Sequence, residues 1–235
     1  MLTKKEFIMK FGGLQKTTLL DYPGRLACTV FTNGCNFKCP FCHNSSLALG
    51  TAKPITEEKI LSFLKKRRGI LDGICITGGE PLIHDDIIDF IEAVHELGYS
   101  VKLDTNGSYP DRLQELIDRS LIDYVAMDIK NSPDKYALSC GADIEVSDIR
   151  KSIEILMQGK IPYEFRTTVV KELHTKEDIH QIGKRIAGAQ KFYLQQFKDS
   201  PEVLQAGFSA YSKDEMKELI IIAKKYVPAA VLRGI

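Results

Sequence analysis

Short apolar runs alternate with amphipathic segments along this chain of 235 residues. Residues 25–34 (RLACTVFTNG) read as a strand that runs into an Asn-Gly turn. Residues 56–68 (TEEKILSFLKKRR) read as a helix, with Thr56 placed to cap it, acids in the first turn and bases in the last. Residues 71–80 (LDGICITGGE) read as a strand ending in glycines. In 85–98, Ile87, Ile88, Ile91, Val94 and Leu97 share one helical face, and Gly98 stops the run. The alternation continues as strand 100–107, helix 111–120, strand 122–130 and helix 146–159, the last with Ser147 or Asp148 as its cap. Strand 162–170, helix 175–188, strand 191–197 and helix 212–226 complete it.

Six β–α units without a long linker predict an α/β fold of parallel strands with right-handed crossovers. The strands form either an open sheet or a partial (β/α)6 TIM-like barrel, and periodicity does not separate the two. One domain is expected over 1–235, with an N-terminal extension (1–24), core β/α units (25–200) and a C-terminal helix and tail (201–235). In either arrangement the site belongs at the C-terminal ends of the strands. The unusual residues fall there: TGGE after the second strand, DTNG after the third, MDIK after the fourth, Arg166 within the fifth and QQFKD after the sixth.

The net charge of +1 gives no electrostatic case for a nucleic-acid or membrane-surface partner. No apolar run approaches the roughly 20 residues of a membrane span. The start, MLTKKEFIMKFGG, lacks the apolar stretch of a secretory signal, so a cytoplasmic location is expected. Of six cysteines, Cys28, Cys75 and Cys140 are scattered, whereas Cys35, Cys39 and Cys42 fall close together after the first strand. In a reducing compartment such a group binds metal or does redox chemistry.

The spacing of the three cysteines would align them on a helix, but Pro40 pushes Cys39 out of the helical region and Asn33-Gly34 signals a turn. A loop around a compact inorganic core fits better. A structural zinc site would need His43 as fourth ligand, yet such sites draw on two separated motifs, and adjacent Cys42 and His43 do not easily meet one ion. Ordinary core thiols are a second alternative, opposed by the Asn, Lys and Pro between the cysteines. A [4Fe-4S] cluster normally takes four thiolates, and three would leave one iron open to a substrate or cofactor.

CNFKCPFCHN resembles the CxxxCxxC signature of the radical S-adenosylmethionine (SAM) enzymes. Phe41, with His43 and Asn44 behind the third cysteine, resembles the glycyl-radical-enzyme activases. Residues 13–44 are similar to activating proteins of anaerobic ribonucleoside-triphosphate reductase, with the pyruvate formate-lyase activating enzyme close behind. The resemblance runs through motifs along most of the chain. It implies that Cys35, Cys39 and Cys42 hold a [4Fe-4S] cluster and that SAM chelates its open iron. Phe41 would set backbone near the adenine, and Gly78, Gly79 and Glu80 match the GGE motif whose backbone approaches the methionyl amine. Paired glycines at a strand end are what such an approach needs. Asp128 and Lys130 match a DxK motif that contacts SAM. Asp104, Thr105 and Met127 match positions that hold a monovalent cation beside SAM in the pyruvate formate-lyase activase. Arg166 would meet the SAM carboxylate, and Gln196 stands where that activase presents a histidine.

Taken alone, these residues have plainer readings: simple turns for GGE and DTNG, a surface ion pair for Asp128 and Lys130, a structural salt bridge for Arg166. His43, His84, His95, His174 and His180 show no paired spacing, and Cys140 reads as a free loop thiol.

The activity implied is reductive cleavage of SAM by an electron from a donor such as flavodoxin or ferredoxin. The resulting 5′-deoxyadenosyl radical would take hydrogen from a backbone glycine of a partner enzyme. Anaerobic ribonucleoside-triphosphate reductase is the first expectation for that partner. The alternatives are a pyruvate formate-lyase-type activase, a small-molecule enzyme similar to 7-carboxy-7-deazaguanine synthase and, outside this class, a non-catalytic zinc-binding module.

Overall fold

The computed structural model describes residues 9–235. Seven strands run parallel in the order β2 (Ala27–Thr32), β4 (Gly73–Gly78), β5 (Ser100–Thr105), β6 (Tyr124–Asp128), β7 (Tyr163–Val169), β8 (Phe192–Gln196) and β9 (Ala230–Arg233). β1 (Lys10–Thr18) pairs antiparallel with β2 and with the short β3 (Ile55–Thr56). β3 and β9 are the two edges of this nine-stranded sheet, so the barrel is partial. The helices are α1 (Ser45–Ala48), α2 (Glu57–Arg67), α3 (Ile87–Glu96), α4 (Pro110–Asp118), α5 (Tyr136–Cys140), α6 (Val146–Met157), α7 (Lys176–Arg185) and α8 (Lys213–Lys224). No helix among the described residues is long and apolar enough to cross a membrane.

The six expected strands are β2 and β4 to β8, and the six expected helices are α2, α3, α4, α6, α7 and α8. The N-terminal extension is more than a lead-in. It carries β1, although its first eight positions lie outside the described residues. β1 escapes periodicity because KFGGLQKTT holds two glycines and mostly polar residues; backbone pairing to β2 makes it a strand. The C-terminal tail likewise supplies β9, too short for its pattern to speak.

Two expected caps differ. Thr56 stands at the N-cap of α2 without a side-chain bond to the helix backbone. α6 begins at Val146, as expected, but Glu145 stands at its N-cap, and Ser147 and Asp148 lie inside its first turn. Capping boxes do start α7 (Thr175 with Asp178) and α8 (Ser212 with Glu215).

Along β4, Ile74 and Ile76 belong to the apolar core, as do Val101 and Leu103 along β5. The alternate positions carry polar groups in register across the sheet: Cys75 stands beside Lys102, Lys102 beside Tyr124, and Asp128 beside Arg166. These strands are thus buried on both faces, one against helices and one in a polar barrel interior.

Candidate functional site

At the C-terminal ends of the parallel strands lies a cavity of about 280 Å³. One wall is the loop that carries Cys35, Cys39 and Cys42, and all three thiols line it. The loop is not helical. Its backbone is tied to three other segments: Gly34 N–H donates to Leu47 C=O (2.7 Å), Lys38 N–H to Cys140 C=O (2.8 Å), and Leu204 and Gln205 N–H to Cys42 and Pro40 C=O (3.0 and 2.9 Å). Lys38 Nζ donates to the Cys35 and Ala48 carbonyls at 2.9 and 2.6 Å. Phe37 and Phe41 are buried and anchor the loop. Phe41 meets the edge of His174 at 6.3 Å, and the His43 ring packs on Phe197 at 5.3 Å.

Burial pushes the Cys35 thiol up to about 11, helped by the charge of Glu80, and burial pushes Cys39 up to about 12. Binding a metal core here must therefore displace protons from these thiols. The Phe37 N–H already points at Cys35 Sγ (3.3 Å), and Asn106 Nδ2 lies 4.0 Å from it. Asn106 in turn donates to Asn36 Oδ1 at 3.0 Å.

The end of β4 turns beneath the cysteine loop. Gly79 N–H donates to Thr32 C=O at 3.0 Å and Glu80 N–H to Gly34 C=O at 2.9 Å. Gly78 has φ +114°, open to glycine and to few other residues, and a β carbon on it would stand 2.4 Å from Thr32 N. Glu80 is wholly buried, away from the cavity lining. Its carboxylate accepts from Thr105 Oγ1 (2.7 Å), Asn106 N–H (2.6 Å) and Leu82 N–H (3.1 Å). Burial pushes that carboxyl up to about 7, against the pull of these donors. Glu80 therefore ties the ends of β4 and β5 together, while Gly78 and Gly79 expose backbone to the cavity.

The floor is a chain of alternating charge. Lys102 Nζ is in contact with Asp104 Oδ1. Arg166 bridges Asp104 Oδ2 (Nη1, 2.9 Å) and Asp128 Oδ1 (Nε, 2.8 Å). Lys130 Nζ holds Asp128 Oδ2 at 3.0 Å. Burial alone would raise both aspartates; Arg166 and the lysines outweigh it and hold them below the usual carboxylate range. Burial would likewise lower Lys130 and Arg166, and the aspartates hold them above their ordinary values. Three cations to two carboxylates leave one positive charge in excess, suited to an anionic ligand group.

Lys130 is itself held by its neighbours. His174 Nε2 hydrogen-bonds its carbonyl at 2.8 Å, and Asn131 Nδ2 donates to Leu173 C=O at 3.0 Å. Next in the chain, Ser132 Oγ donates to Asp178 Oδ1 at 2.7 Å.

The structure thus brings Cys35, Cys39, Cys42, Phe41, Gly78 and Gly79 to one cavity with Asp128, Lys130 and Arg166. Gln196 goes elsewhere. Strand alternation puts Gln195 on the cavity, while Gln196 Nε2 donates to Tyr211 C=O at 2.7 Å. Of the expected cation positions, Asp104 and Thr105 line the cavity and Met127 does not, and the side-chain oxygens of the first two already have partners. Thr105 Oγ1 is engaged with Glu80, Met127 is fully buried off the cavity lining, and both Asp104 oxygens are held by Lys102 and Arg166. Asn44 and Thr77, both within the motifs, also line the cavity, as does Thr168, which no sequence motif singles out.

The profile of the radical SAM superfamily matches residues 29–186. Over 95% of both chains, the sequence is 36% identical to a Methanocaldococcus jannaschii protein provisionally named a glycyl-radical enzyme activating enzyme. It is 29% identical to the pyruvate formate-lyase-activating enzyme of Clostridium pasteurianum over 52% of each chain. Streptococcus suis SuiB, solved bound to S-adenosylmethionine, superposes with a TM-score of 0.67 over 86% of this chain and 48% of its own. At 17% identity that likeness concerns the fold alone. The superfamily match implies a [4Fe-4S] cluster and SAM, and the donor set fits them: three thiols beside exposed glycine backbone and a cationic floor. The chain belongs to the radical SAM superfamily, on the side of the glycyl-radical enzyme activating enzymes.

Proposed function

We propose that this protein generates a glycyl radical on a large partner enzyme, with anaerobic ribonucleoside-triphosphate reductase as the partner and a flavodoxin or ferredoxin as the electron donor. One observation carries the reading: three thiols, without a fourth cysteine among the cavity-lining residues, share a cavity with glycine backbone and excess positive charge. Cys35, Cys39 and Cys42 would hold the cluster. Gly78 and Gly79 offer backbone to the ligand's polar end, and Arg166 and Lys130 meet its carboxylate.

When bound, the cluster and SAM supply one-electron cleavage of a carbon–sulfur bond and thereby an alkyl radical that can take hydrogen from carbon. The chain's own residues position and shield. The ion-paired floor fixes the ligand's charged end. Buried Phe37 and Phe41 close the loop side against water.

Anaerobic reconstitution followed by reduction in the presence of SAM tests the chemistry: 5′-deoxyadenosine and methionine are expected. Their absence would sink every radical reading. With the host's anaerobic reductase added, electron paramagnetic resonance should show a glycyl doublet. A doublet only with pyruvate formate-lyase would reassign the partner. None with any glycyl-radical enzyme of the host would overturn the activase reading.

A further inference from the structure

The deepest member of the charged floor is Lys102. Only 2% of the side chain is exposed, and it does not line the cavity. β5 turns Lys102 and Asp104 to the same interior face, two residues apart. The ammonium therefore reaches Asp104 Oδ1 from below, with Cys75 Sγ at 3.7 Å as its other neighbour. A lysine this deeply buried stays charged only beside a carboxylate. Arg166 takes the second Asp104 oxygen at 2.9 Å. An alkali cation at Asp104 would have to displace one of these tethered cations. It would find Thr105 Oγ1 committed to Glu80 and Met127 buried away from the cavity.

We propose that Lys102 is a built-in counter-ion that takes the place of a free monovalent cation at Asp104, so that SAM binding needs no alkali ion. This rests on the reading of the cavity as a SAM site. Lys102 is a positioning residue. It neutralises Asp104, so that Arg166 and Lys130, which share Asp128, keep one positive charge over for the ligand's carboxylate. A covalently tethered cation also avoids the entropic cost of recruiting an ion from solution.

The test is isothermal titration of the reconstituted protein with SAM, in tetramethylammonium chloride and then in potassium or sodium chloride at equal ionic strength. The native protein should bind equally in all three, within about twofold. Lys102→Met should lose roughly tenfold in affinity in tetramethylammonium, the scale of one charge-assisted contact, and potassium or sodium should restore most of it. Rescue by a small cation is something a merely structural role would not produce. The thermal midpoint of the metal-free proteins gives a second readout, rising with potassium only in Lys102→Met.

A several-fold gain of native affinity on adding potassium overturns the proposal. So does a Lys102→Met protein that binds normally in tetramethylammonium, or one that no alkali ion rescues. If Lys102→Met does not fold, the native series decides alone. If the native protein binds no SAM in any salt, the parent reading fails and this inference falls with it.

Discussion

A β carbon on Gly79 would stand 1.8 Å from the carbonyl oxygen of Gly34. The strand-end turn and the cysteine loop thus touch backbone to backbone, with no room for a side chain between them. Gly79 does not have a positive φ, so alanine is excluded by space and not by torsion. Gly79→Ala should push the two loops apart, lower bound iron and weaken SAM binding by at least about tenfold, since the ligand's backbone partners move with the turn. Iron analysis and calorimetry check this; native values for both would show that the contact yields.

Gly141 closes α5 in the left-handed region at φ +61°, and a β carbon there would meet the Lys38 carbonyl at 2.2 Å. That residue's N–H is bonded to Cys140 C=O. Gly141→Ala should reduce cluster occupancy while leaving circular dichroism near native. Gly50→Ala is the control: φ is +72° but nothing lies within 4 Å, so it carries torsional strain of about 1 kcal/mol without crowding. Equal iron loss in both variants would assign the effect to strain alone.

Cys39→Ala should abolish the visible absorbance of the reconstituted cluster with little change in far-ultraviolet circular dichroism. Seven parallel strands and their helices hold the fold independently of the thiol. Loss of secondary structure would instead mark the metal as a folding element.

Asp178 accepts from Ser132 Oγ, Lys135 Nζ and Thr175, pinning the segment behind Lys130 to the start of α7. Burial alone would raise its pKa; these donors outweigh burial and bring it down to about 2. A depressed carboxyl pKa contributes stability above its unfolded value of about 3.9. That contribution is lost as the pH falls through about 2. Asp178→Asn should therefore be less stable than the native protein at neutral pH, by on the order of 2 kcal/mol. Its denaturation midpoints should fall less steeply with acid over this window, and parallel acid limbs for the two proteins would refute the assignment.

Much of this was legible in the sequence because β4 to β8 alternate with helices at a regular spacing, and because Pro40 and Asn33-Gly34 mark a loop where cysteine spacing alone suggests a helix. Lys102 was not legible. In SVKLDT, polar residues alternate with apolar ones, which in a half-exposed strand means a wet face; here Val101 and Leu103 belong to the apolar core, and the polar face looks into the barrel. Gln195 escaped by one position because a strand's end leaves its facing undetermined until a neighbour fixes the register, as Thr168 and Arg233 do. β1 owes its existence to pairing with β2, which no local pattern records.

The four backbone ties on the cysteine loop, to Leu47, Cys140, Leu204 and Gln205, use main-chain groups and no thiol. The entropy of ordering that loop is met when the chain folds. Oxidative loss of an inorganic core held by the three thiols would leave these main-chain ties in place, so rebuilding would be a matter of resupplying iron and sulfide to a loop already held.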